Sequence, residues 1–137
     1  MSKKINTWYN SKRKWLYLSK IKIKVYIKSK SENYVYEGKA IKSKNQITYI
    51  DKYVLTKIKL DKIVEIYRKK DYELKIKLKE GIPLEGKLKN KYGTVDIKTL
   101  AKTIKIEENK IKIVYDLIID EHLIDTFTYN LEYSIDR

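Results

Sequence analysis

The chain's one histidine, His122, follows Asp120-Glu121, and this is where metal binding or acid-base chemistry would first be sought. A structural metal site generally takes four defined ligands, and no His-x-x-x-His or comparable cluster accompanies His122, which reads as a solvent-facing hairpin residue. The carboxylate pairs Glu107-Glu108 and Asp120-Glu121 are adjacent in polar turns. There they point apart into water, unlike an acid and a base facing each other across a cleft. Cysteine is absent, which excludes disulfides, thiolate metal sites and thiol nucleophiles and suits a reducing, cytoplasmic compartment. With four glycines in all, and no Gly-x-Ser-x-Gly, P-loop or Gly-x-Gly-x-x-Gly element, the chain lacks a nucleophile elbow and a phosphate-cradling loop. These features point away from an enzyme, and no cofactor or metal is expected.

Residues that could hold a ligand are more prominent. Tyrosine occurs thirteen times, and Tyr34, Tyr36, Tyr49, Tyr115, Tyr129 and Tyr133 fall in phase with the strands around them. Two arrangements answer to that phasing: rings that line a cavity and offer a ligand apolar contact plus a hydroxyl, or rings that fill a small barrel's interior. Asp51 lies two residues after Tyr49, hence on the same face of a strand, and Arg68 ends a mostly aliphatic stretch. Turned inward, Asp51 and Arg68 would form a polar floor that anchors a carboxylate or phosphate through the guanidinium; a structural ion pair or two wet rim residues are the alternatives. The candidate ligand-binding set is Tyr36, Tyr49, Asp51, Arg68 and Tyr115, for a small, partly apolar or anionic ligand.

A formal net charge of +14 attracts phosphate backbones and anionic headgroups. The charge is nearly all lysine, with Arg13, Arg68 and Arg137 the exceptions, whereas planar recognition of phosphate or guanine favours arginine. Enrichment in Lys, Ile, Asn and Tyr is also what an AT-rich genome produces. In the N-terminal segment, Trp8, Tyr9 and Trp15 are interleaved with Lys3, Lys4, Lys12, Arg13 and Lys14. That mix suits stacking on single-stranded bases or a membrane surface, or else forms a lysine-rich tail whose Trp15 opens the first strand. Association with nucleic acid through the lysine surface is therefore the alternative to ligand binding.

The elements that would position these residues are strands. Period-two alternation is clearest from Lys20 to Lys28, where every second residue is aliphatic and most others are lysine. It recurs over 34–43, 46–50, 53–60, 63–68, 72–79, 84–90, 94–106, 110–119 and 123–135, giving about ten strands. The links are short polar breaks such as Lys44-Asn45, Lys70-Asp71 and Asp120-Glu121; links this short join antiparallel neighbours, since a parallel crossover needs a dozen residues or more. The stretches 53–67 and 99–106 contain helix formers, but their β-branched content favours strands. No run of about 18 apolar residues exists to span a membrane as a helix. Ten strands in one open sheet would leave long edges, so a single, closed or nearly closed antiparallel barrel over 15–137 is expected. Residues 1–14 are expected to be a flexible basic segment or a short helix.

The motif Tyr92-Gly93-Thr94-Val95-Asp96-Ile97, followed by Lys102-Thr103-Ile104 and then Lys110-Ile111-Lys112-Ile113-Val114-Tyr115-Asp116-Leu117, resembles the YwiB-like family of small bacterial β-barrel proteins. Upstream, Tyr36-Glu37-Gly38, Ile47-Thr48-Tyr49-Ile50-Asp51 and Ile66-Tyr67-Arg68 look like the family's other markers, so the resemblance covers residues 34–134. Ala101, Asp51 and Asp71 depart from the family's pattern. The resemblance implies a calycin-like, lipocalin-like barrel and, because the family is a domain of unknown function, no particular activity.

Overall fold

The computed structural model describes residues 18–136, so the basic segment 1–14 and Trp15 lie outside the described residues. Ten strands build the fold: β1 (Ser19–Lys28), β2 (Asn33–Ser43), β3 (Gln46–Asp51), β4 (Val54–Lys59), β5 (Val64–Lys69), β6 (Glu73–Leu78), β7 (Pro83–Asn90), β8 (Gly93–Glu107), β9 (Lys110–Ile119) and β10 (His122–Ile135). Each pairs antiparallel with its neighbours in sequence, and β1 also pairs with β10, closing an up-and-down barrel. Closure removes the edges that ten strands in an open sheet would expose. The segments 53–67 and 99–106 are strands and turns, as their β-branched content requires. No described helix is long and apolar enough to cross a membrane.

Alternation fixes the register. On β1, Ile21, Ile23, Val25 and Ile27 are buried, while Lys22 and Lys28 face solvent. Burying each such side chain contributes about 1.5–3 kcal/mol, and a one-residue slip would turn the whole set outward. The hairpins at Lys52-Tyr53 (φ 49° and 70°) and Asp120-Glu121 (φ 50° and 65°) place both central residues in the left-handed region. Such turns match the twist of paired strands, at a steric cost to residues other than glycine.

Two seams interrupt the wall. β2 pairs with β3 only over residues 41–43, and β6 with β7 only over residues 73–75. A side-chain hydroxyl bridges each gap: Tyr36 Oη donates to the Ile50 carbonyl at 3.2 Å, and Thr99 Oγ1 donates to the Lys77 carbonyl at 2.6 Å. Glycine makes both approaches feasible. A Cβ on Gly38 would collide with the Tyr36 ring and hydroxyl, and one on Gly86 with the Lys75 carbonyl.

Candidate ligand cavity at one end of the barrel

The barrel interior has two halves. Toward the turns at 44–45 and 108–109, aliphatic side chains fill it, with Ile21, Ile47, Ile58, Leu78, Ile111 and Leu131 fully buried. The hydroxyls of Tyr49 and Tyr129 meet at 2.6 Å above this core. On the other side of Tyr129, toward the turns at 29–32 and 70–72, a cavity of about 240 Å³ opens between Ile27, Ile66, Arg68, Leu74, Ile76, Tyr115, Leu117 and Phe127, with Glu32 and Tyr72 at its mouth. Of the phased tyrosines, Tyr36, Tyr49 and Tyr129 stack or bond to one another near the middle of the barrel, and Tyr115, with Tyr129, borders the space at one end.

The alternation of β5 turns Val64, Ile66 and Arg68 to one side, so the guanidinium enters the barrel behind two buried aliphatic residues. Arg68 lies opposite Thr56 on β4 and Leu74 on β6. Its Nε is buried without a hydrogen-bond partner, and among the described residues no carboxylate forms an ion pair with it. Its charge is felt by the surrounding phenols, although burial dominates them. Burial pushes the Tyr115 hydroxyl up to about 12, with Arg68 pulling it part of the way back. Burial likewise raises Tyr129 well above the ordinary tyrosine range, and Tyr49 in the same direction. All three rings are therefore neutral hydrogen-bonding groups at any physiological pH.

Of the five residues expected at a ligand site, Arg68 and Tyr115 line the cavity. Tyr49 sits directly beneath it, through its bond to Tyr129. Tyr36 stacks on Tyr49, with ring centroids 5.6 Å apart, and serves the β2–β3 seam. Asp51 is buried on the same face as Tyr49, but it neither borders the cavity nor pairs with Arg68, and its Oδ2 has no partner. The polar floor of Asp51 and Arg68 is thus not formed: the two are brought to the same wall of the barrel but not to each other. His122 is exposed at the start of β10.

Phe127 is a lining residue that sequence reasoning missed. It stacks on Tyr115 with centroids 5.3 Å apart. Counting outward from the hairpin at Asp120-Glu121 would place Phe127 opposite Val114. The register shifts between Leu123 and Asp125, leaving Ile124 as an extra residue, and Phe127 pairs with Tyr115 instead. A bulge of one residue changes which side chains meet, and alternation alone does not reveal it. The mouth is fixed in turn by Asp125, which accepts hydrogen bonds from the Lys30 amide (3.1 Å), Ser31 Oγ (2.9 Å) and the Thr126 amide (2.7 Å). Those bonds tie the 29–32 turn, and with it Glu32, to β10. Burial pushes the Asp125 carboxyl up, but these donors outweigh it and hold the group at about 2.

A second depression of about 460 Å³ lies on the outer surface over the β2–β3 seam, lined by Lys20, Lys39, Ile41, Thr48, Ile50 and neighbours. It is larger and more open, and of its charged groups Lys39 and Asp136 pair at 3.7 Å while Lys20 faces solvent. The inner cavity is smaller and less open, and its cation, Arg68, is half-buried among apolar side chains rather than solvent-facing, which makes it the stronger site.

Comparison with known proteins agrees with this architecture. A family model described as "Domain of unknown function (DUF1934)" matches residues 20–131. Among solved structures, the ywiB protein from Bacillus subtilis matches with a TM-score of 0.59 and 22% identity, over 85% of this chain and 93% of that one, a likeness of fold. No curated protein matches significantly.

Proposed function

The chain belongs to the DUF1934 family, and from that premise we propose that its barrel is a binding protein that encloses one small, amphipathic ligand in the cavity beside Tyr129. The observation that carries this reading is the cavity itself: about 240 Å³ of space open at one end of the barrel, walled by aliphatic and aromatic side chains around a single arginine, with Glu32 at its mouth. That volume lies below the roughly 300–1,000 Å³ of drug-sized sites, so the ligand is small. Binding without chemistry suits the lining, because hydroxyls whose ionisation is pushed up by burial are poor nucleophiles and bases. The cysteine-free sequence suits residence in the cytoplasm.

Native mass spectrometry of protein purified from cells at high salt tests the reading. A small non-covalent adduct is expected on the wild type and not on Leu74→Trp, which fills the cavity. Equal adducts on both proteins would put the ligand elsewhere and overturn the proposal.

A second reading rests on the outer wall, where Tyr67 lies between Lys57 and Lys75, whose ammonium groups sit 6.0 and 5.9 Å from its ring centre. An aromatic ring flanked by cations suits a stacked base on a single strand. Its test is affinity for single-stranded DNA that falls steeply with salt and drops further in Tyr67→Ala.

A further inference from the structure

Arg68 brings a permanent positive charge into a space whose walls are otherwise Ile27, Ile66, Leu74, Leu117, Phe127 and tyrosine rings. Arg68 is half-buried, and the buried part of a cation is costly to leave without a partner. Here Nε is buried without an acceptor and no described carboxylate is within ion-pairing distance. Glu32, the one acid bordering the cavity, is exposed at its mouth. Tyr115 adds a second donor, since it lines the same cavity and its hydroxyl bonds to no described group, unlike that of Tyr129, which is engaged by Tyr49.

We propose that the ligand is a monocarboxylate, its carboxylate received by Arg68 and Tyr115 and its short apolar body lying against Phe127, Leu74 and Leu117. This rests on the ligand-binding reading above and specifies its chemistry. The planar guanidinium matches the two oxygens of a carboxylate, and a bond assisted by charge in a site of low dielectric is about twice as strong as a neutral one. One cation balances one negative charge. A phosphate dianion would leave a net charge in an apolar space. The phenol's high ionisation point supports the same chemistry by keeping Tyr115 a donor throughout the physiological range.

The probes are 3-phenylpropionate and 3-phenylpropionamide, which share a shape and differ in charge, titrated at millimolar concentration while NMR follows the Phe127 and Leu117 side chains. The carboxylate is expected to bind wild type about 10 to 100-fold more tightly than the amide. Arg68→Met should abolish that preference while leaving amide binding intact, and Tyr115→Phe, which keeps the ring, should weaken the carboxylate several-fold. Equal binding of both probes to wild type, or a preference that survives in Arg68→Met, would overturn the carboxylate assignment and leave the ligand-binding reading standing. If neither probe shifts the cavity resonances of wild type, the ligand-binding reading falls with it.

Discussion

Tyr49 on β3 and Tyr129 on β10 share a 2.6 Å hydrogen bond although 80 positions separate them in sequence. The bond lies between the filled half of the barrel and the cavity, so the floor of the proposed site is a polar contact in an apolar interior. Removing the Tyr129 hydroxyl takes from Tyr49 the 2.6 Å hydrogen bond it makes across the barrel. Tyr129→Phe is therefore expected to cost about 1–3 kcal/mol in urea denaturation. The double variant Tyr49→Phe/Tyr129→Phe should cost less than the sum of the single changes, with a coupling of about 1 kcal/mol. Strict additivity would mean that the pair contributes nothing as a pair.

Acid stability should report on Asp125. Its folded carboxyl is held at about 2, against an ordinary 3.8. A depressed carboxylate contributes stability that is fully present above the ordinary value and is lost as pH falls toward the folded one. The stability difference between wild type and Asp125→Asn should thus be largest above about pH 5 and shrink on titration toward pH 2. A difference that stays constant over that window would show that the carboxylate's charge does not hold the 29–32 turn.

Tyr53 is 87% exposed with φ 70°, so its ring contributes no packing while its backbone carries left-handed strain. Tyr53→Gly relieves the strain, set against glycine's greater freedom in the unfolded chain. It should stabilise by about 0.5–1 kcal/mol, or roughly 2–5 °C in Tm by calorimetry. A lower Tm would indicate a contact of Tyr53 that the fold does not show.

Gly38 tests the β2–β3 seam. Gly38→Ala drives a methyl into the Tyr36 ring and should cost about 1–3 kcal/mol. In a Tyr36→Ala background that cost should largely vanish, because the colliding group is gone. An unchanged cost there would place the clash elsewhere.

The barrel was legible in the sequence because alternation and turn chemistry agree along the chain. The expected first strand, 20–28, differs from β1 by one residue, and the polar breaks at 44–45 and 120–121 are turns. Closure followed from strand number. The site was legible only in part. Arg68 and Tyr115 were expected at a ligand and line the cavity, whereas Asp51 shares a wall with Arg68 without reaching it. Face can be read from period two, but height along the barrel and pairing across it depend on stagger and bulges, and the extra residue at Ile124 decided that Phe127 meets Tyr115. The hydroxyl bridges at the two seams join residues 14 and 22 positions apart, and no local pattern announces them.

The most direct test of the central claim is where a bound monocarboxylate sits. Intermolecular NOEs from the ring protons of 3-phenylpropionate to the wild-type protein locate it. The expected result is contacts to Phe127, Tyr115 and Leu117 inside the barrel; contacts to Ile41 and Ile50 on the outer depression, or to no side chain of the cavity, would contradict the account.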